Sequence, residues 1–226
     1  MLELKGLQAG YGRARVLFGV HLEVNAGEVA VLLGRNGAGK STTLKAAMGL
    51  LAGARGERRF EGRRIDGLEP FEIARLGLGY VPEDRRIFTD LTVGENLEAG
   101  RRPAPAGRAP WTTERIFKLF PALSGMERRS AAHLSGGEQQ MLTLARTLMG
   151  NPKALLLDEP SEGLAPRVVD QMVKAILELK RTGLAVLLCE QNTRFARRVG
   201  DRAYWLEQGR VRRSGDLPGM QDNPVP

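Results

Sequence analysis

The sequence predicts an α/β protein built on a mainly parallel sheet with helices on both faces. Three observations predict it. From about residue 137 onward, helical stretches alternate with short apolar runs. The apolar run 28–33 leads without a break into a glycine-rich loop and then a helix. Leu155, Leu156 and Leu157 run straight into an acidic pair, Asp158 and Glu159. The chain has 226 residues, enough for one large domain or a core with a sub-domain. Its apolar fraction of 42% is ordinary for a chain that buries a real core.

Taken in order, residues 2–7 and 20–24 alternate or run apolar near glycine turns and read as strands of an N-terminal sheet. Residues 28–33 form a short strand and 40–51 a helix. An edge-like strand pair is expected at 58–65 and another strand at 77–82. From about 83 to 134 the texture changes. Thr92 followed by Glu95 has the spacing of a capping box and opens a helix. Residues 101–110, rich in Pro, Gly and Arg, read as a loop, and 114–119 as a short amphipathic helix. The region is read as a helical insertion between halves of the core. Helix 137–149, strand 154–158, helix 166–181, strand 184–189, helix 192–199 and strand 203–207 complete the alternation. Residues 215–226 are expected to be a frayed end.

Composition excludes several classes. No apolar run approaches the roughly 20 residues that span a bilayer; residues 46–54 are uncharged, but Lys45 and Arg55 bound them. No basic-then-apolar leader opens the chain, since Glu3 and Lys5 interrupt it. A cytoplasmic protein is expected, with any membrane role supplied by a partner. The lone Cys189 ends an apolar run and reads as a buried strand thiol. The net charge of +8 raises nucleic acid as a ligand. The basic residues are scattered in pairs such as Arg58-Arg59 and Arg128-Arg129, however, and only 5% of residues are aromatic. That leaves no stacking platform for bases, so no nucleic acid is expected. A solvated Arg-rich surface facing a partner or lipid headgroups is the better reading.

Three short strings carry the chemistry. Gly34, Arg35, Asn36, Gly37, Ala38, Gly39, Lys40 and Ser41 have the G-x-x-x-x-G-K-S spacing of a phosphate-cradling loop. Its glycines let backbone N–H groups turn inward around a phosphate, and the following helix adds its positive end. Lys40 suits β- and γ-phosphates, Ser41 a Mg²⁺ ion, and Thr42 the α-phosphate. Asp158 and Glu159 end a buried strand at the sheet edge where ligands bind. Asp158 suits a metal ion, and Glu159 suits polarising a water as general base. Ser135, Gly136, Gly137 and Glu138 open a helix and read alone as an N-cap.

Together the three strings resemble the Walker A, signature and Walker B elements of ATP-binding-cassette (ABC) ATPases, over nearly the whole chain. The resemblance implies a P-loop NTPase (RecA-like) core, an N-terminal antiparallel β sub-domain and a helical insertion at about 85–150, all within a single nucleotide-binding domain, 1–226. It implies ATP and Mg²⁺ as cofactors. It also implies a head-to-tail dimer, in which Ser135 to Glu138 of one subunit close over the nucleotide held by residues 34–42 of the other. Tyr11, in Ala9-Gly10-Tyr11-Gly12, matches the aromatic that stacks on adenine, and residues 161–166 match the loop after Walker B.

Two positions depart from the general family. Glu83 stands where a glutamine is usual; it adds negative charge near Mg²⁺ and is expected to ligate the ion, directly or through water. Gln191, in Cys189-Glu190-Gln191-Asn192, stands where a histidine is usual. It can donate a hydrogen bond to the γ-phosphate but supplies no proton or charge. Glu159 then acts as base with little help, or one site of the dimer does not hydrolyse.

The strings Val81-Pro82-Glu83-Asp84-Arg85-Arg86-Ile87-Phe88 and Thr92-Val93-Gly94-Glu95-Asn96-Leu97 resemble one branch closely, as do 134–142 and 190–192. That branch is the ATP-binding subunit, LivF type, of importers of branched-chain amino acids. The resemblance implies leucine, isoleucine and valine as cargo. It implies pairing with a like or LivG-like ATPase, two membrane permease subunits and an extracytoplasmic binding protein, at the inner face of the membrane. A urea or short-chain amide importer and a soluble ABC ATPase acting on nucleic acid are the alternatives.

Overall fold

The computed structural model describes residues 1–105 and 107–217. In chain order the strands are β1 (Leu2–Tyr11), β2 (Ala14–Val24), β3 (Val29–Leu33), β4 (Arg55–Phe60), β5 (Arg63–Arg64), β6 (Leu78–Val81), β7 (Ala154–Asp158), β8 (Ala185–Glu190), β9 (Arg202–Glu207) and β10 (Arg210–Asp216). The helices are α1 (Lys40–Ala47), α2 (Pro70–Leu76), α3 (Val93–Gly100), α4 (Thr113–Leu119), α5 (Gly136–Met149), α6 (Pro166–Arg181) and α7 (Thr193–Val199).

Two sheets result. The first is antiparallel, in the order β2-β1-β4-β5. Leu2 and Leu4 and then, past a register shift, Leu7 and Ala9 point inward along β1, as a sheet with one wet face requires. The second has the order β10-β9-β3-β8-β7-β6. Its strands from β9 to β6 are parallel, and β10 closes one edge antiparallel. β3, β7 and β8 are buried along their whole length, which explains their near-continuous Val, Leu and Ala.

β3 shows how the core divides. Val29, Val31 and Leu33 face a cluster shared with α3 to α7, whereas Ala30 and Leu32 face a second cluster between the two sheets. α1 lies in that second cluster, and six of its eight residues are buried. Among the described residues between β6 and β7 the only β pairing is the bridge from Thr92 to Ser130. Besides α3 to α5 they hold two single 3₁₀ turns, at Pro121–Leu123 and Ala131–His133.

Three expectations need correction. The first helix stops at Ala47 rather than 51, because Gly49 takes the left-handed conformation (φ 76°) that ends helices. The helix α2 was not expected; Glu69 and Glu72 form its capping box and Pro70 its first turn. The end expected to fray from 215 instead completes β10 through Asp216. Leu217 is buried there, and its N–H donates to Asp201 O at 2.8 Å. The remainder of that stretch, 218–226, lies outside the described residues.

Candidate functional site: a phosphate loop facing an acidic strand end

The loop between β3 and α1 is shaped by backbone constraints. A Cβ on Gly34 would stand 2.5 Å from the carbonyl oxygen of Leu206, so only glycine fits. Gly37 and Gly39 have φ of 79° and 110°, both in the glycine region. No side chain caps the N-terminus of α1. Its first N–H groups therefore remain free for an anion, as expected for this loop type.

Lys40 is 4% exposed, and its ammonium is fully engaged. It donates to Gly34 O at 2.9 Å and Arg35 O at 3.2 Å, and pairs with Glu159 Oε1 at 2.9 Å. One residue on, the Ser41 hydroxyl donates to Asp158 Oδ1 at 2.9 Å. The hydroxyl proton is thus spent on the carboxylate, leaving the oxygen lone pairs for another partner. Tyr80, on β6, donates its hydroxyl to the other oxygen, Oδ2, at 3.3 Å. Burial pushes the Asp158 carboxyl above its ordinary value, against these two hydrogen bonds. Burial, with Asp158 alongside, pushes the Tyr80 phenol well above its ordinary range, so it is a constant donor.

Glu159 sits at φ 45°, a costly conformation for a non-glycine residue. Its N–H donates to Cys189 O at 3.0 Å, and its own carbonyl accepts from Glu162 N at 3.1 Å. A hydrogen bond to Glu159 holds the Glu162 carboxyl above its ordinary value. Cys189 is buried as expected, and burial pushes its thiol up. Glu190 is a buried acid that sequence reasoning passed over. Its carboxylate accepts from Ser161 N and Asn192 N, both at 3.1 Å, tying β8 to the loop after Glu159. Burial pushes its carboxyl up. Gln191, the next residue, is exposed.

The second glycine string starts α5. Ser135 is its N-cap, and its N–H and hydroxyl donate to Glu138 Oε2 at 2.7 and 2.8 Å in a capping box. A Cβ on Gly136 would meet Arg85 Nη1 at 2.6 Å, and one on Gly137 would meet Val168 at 2.9 Å. The segment carrying Glu83 is fastened to the same helix. Thr143 donates its hydroxyl to Arg85 O at 2.6 Å, and Arg146 donates to Arg86 O. Arg85 and Arg86 both take positive φ, 61° and 48°. Asn96, fully buried, bonds Phe88 N and O and Thr92 O, each at 2.9 Å. Glu83, Arg85, Gln140, Glu159 and Glu162 line a groove of about 480 Å³. Gln140 Oε1 is buried there without a hydrogen-bond partner.

The structure thus brings Lys40, Ser41, Asp158 and Glu159 together, with Glu83 close enough to raise the carboxyls of Asp158 and Glu162. Ser135 to Glu138 start a separate helix, and Tyr11 stands about half exposed at the β1–β2 turn. Among the described residues no three or more His, Cys, Asp or Glu side chains gather as a metal cluster. One hydroxyl and one carboxylate, both hard oxygen donors, fit an ion whose remaining ligands come from phosphate and water.

Comparison with known proteins decides the family. The ABC transporter family model matches residues 17–162. The chain belongs to the ABC transporter family. Among curated relatives it is 43% identical to the high-affinity branched-chain amino acid transport ATP-binding protein BraG of Pseudomonas aeruginosa, over 93% of this chain and 91% of that protein. It is 35% identical to the probable branched-chain amino acid transport ATP-binding protein LivF of Archaeoglobus fulgidus, over 95% and 92%. It is also 34% identical to the lipopolysaccharide export system ATP-binding protein LptB of Acidithiobacillus ferridurans, over 100% and 94%. The ADP conformation of the cassette MJ1267 aligns with TM-score 0.80 at 30% identity, covering 96% of this chain and 91% of that one. A dimeric structure of the cassette MJ0796 aligns with TM-score 0.82 at 26% identity, covering 97% and 100%.

The cassette is an ATPase with the ABC fold, and cassettes of its kind bind ATP and ADP, dimerise and serve membrane subunits. Among the described residues no helix is long and apolar enough to cross a membrane.

Proposed function

We propose that this cassette is the energy-coupling subunit of an importer for branched-chain amino acids. The observation that carries the reading is the Lys40–Glu159 and Ser41–Asp158 pairing within a loop built for phosphate, in a chain most like BraG among the relatives described.

Tyr11 stacks on adenine, and residues 34–42 hold the phosphates, Lys40 on the β- and γ-groups. Ser41 and Asp158, with Glu83 alongside, would hold Mg²⁺. Bound there, the ion would offset charge developing on the phosphate oxygens. Arrival of the phosphates draws the Lys40 ammonium to them. The Glu159 carboxylate is then free to accept a proton from the attacking water. Gln191 orients the γ-phosphate, and Ser135, Gly136, Gly137 and Glu138 close on it from the second subunit. Closure drives two permease subunits at the inner face of the membrane, and loss of phosphate reopens the pair. The second ATPase is a copy of this chain or a LivG-like partner, and an extracytoplasmic binding protein delivers the cargo.

Uptake of labelled leucine in cells lacking this chain tests the cargo. Uptake is expected to fail, to return with the native chain, and to stay lost with Glu159→Gln. The likeness to LptB favours one other reading, lipopolysaccharide export. Normal leucine, isoleucine and valine uptake with lipopolysaccharide held at the inner membrane would establish it instead.

A further inference from the structure

We infer that Tyr80 is a positioning residue for the metal site, fixing the plane of the Asp158 carboxylate by capping the oxygen that Ser41 leaves free. The inference rests on the reading of Asp158 as a metal-holding acid.

The strand register sets it up. Tyr80 of β6 pairs with Leu156 of β7, two residues before Asp158 on the same face. Asp158 is therefore a diagonal neighbour of Tyr80, a separation that the long phenol spans by leaning along the strand and that a short side chain at position 80 would not. Its hydroxyl meets Oδ2 at 3.3 Å while Ser41 meets Oδ1 at 2.9 Å.

Two donors are needed for a physical reason. Rotation of a carboxylate about its last bond is soft, with broad two-fold minima. One hydrogen bond tethers an oxygen but leaves the plane free to swing. Asp158 is 1% exposed, so bulk water does not supply the second donor. With Tyr80 in place, Oδ1 is held beside the Ser41 oxygen. The hydroxyl and the carboxylate then face the same point from fixed directions. Phenylalanine would keep the ring and its contacts and lose only the donor. Tyr80 touches no reacting atom in this arrangement and acts through Asp158.

The test uses the full chain, native and Tyr80→Phe, with Mn²⁺ as the probe, followed by electron paramagnetic resonance in saturating ADP. The Kd for Mn²⁺ should rise about five- to tenfold in Tyr80→Phe. Affinity for ADP in excess chelator should stay within about twofold, because only the metal site has changed. In an Asp158→Asn background, Tyr80→Phe should add nothing. An unchanged Mn²⁺ Kd in a folded Tyr80→Phe protein would overturn the inference and leave the reading of Asp158 standing. So would an equal loss in the Asp158→Asn background. Failure of the native chain to take up Mn²⁺ with ADP would overturn both.

Discussion

The Lys40 ammonium lies 2.9 Å from Oε1 of Glu159, with the two side chains only 4% and 8% exposed. The cation proposed to bind phosphate and the acid proposed to activate water hold each other out of solvent. Among the described residues each is the other's only ionic partner, and Lys40 gains two carbonyl acceptors besides.

Breaking that pair from one side strands a buried charge. Lys40→Ala should destabilise the nucleotide-free protein by about 3 kcal/mol and abolish ATP binding. Glu159→Gln should cost far less stability, because the amide oxygen still accepts from Lys40. Its phosphate release should fall by about 10²- to 10⁴-fold, and its ATP-bound form should gain dimer on size-exclusion chromatography. Denaturant titration of the two variants side by side checks the contrast.

Ser135 caps α5, and the proposed function gives it a second, separable duty. As N-cap of α5 it is worth about 1 kcal/mol, which Ser135→Ala should lose and Ser135→Asp should retain. Both variants should lose ATPase activity if the hydroxyl also meets the second subunit's γ-phosphate. Thermal melts beside phosphate-release assays separate the duties. Full activity in Ser135→Ala would remove the second one.

The raised Asp158 carboxyl sets a pH dependence with a definite sign. Below the ordinary carboxylate value, near about 4, the group is protonated folded and unfolded and has no effect. Above its raised folded value it is ionised in both states, and the folded state carries the full burial cost. Asp158→Asn should therefore melt above the native protein at pH 8. The gap should narrow as pH falls toward 4, and a gap constant with pH would refute the assignment.

Gln140 presents a buried acceptor with no partner. Replacing an unsatisfied polar group by an apolar one of like shape is neutral to stabilising. Gln140→Met should raise the nucleotide-free stability by about 1 kcal/mol. A loss of similar size, read by urea unfolding, would mean that an ordered water completes the native site.

Much of the fold was legible because local signals and tertiary structure agree. The strand 154–158 and the helix 166–181 have the expected limits, set by an apolar run and by Pro166. The helix α2 could have been read from Glu69, Pro70 and Glu72, a capping signature overlooked among loop residues. β10 was harder. Its run of Arg and Ser carries no apolar alternation, and it becomes a strand by pairing with β9 at the sheet edge.

The site divides the same way. The glycine loop and the acidic pair are contiguous strings with fixed spacing, so sequence exposes them. Tyr80 lies 78 positions from Asp158, and the Glu190 carboxylate reaches back 29 positions to Ser161. Neither link follows from spacing, because each depends on which strands lie side by side. The same is true of Thr143 holding Arg85 O.

Placing α1 between two sheets has a mechanical result. The glycine loop runs into a helix packed between β-structure on both sides, with six of its eight residues buried. It behaves as an anvil. Any adjustment to a ligand at the loop is then expected in its surroundings: the turn that bears Tyr11, and the segment joined to α5 by Thr143 and Arg146.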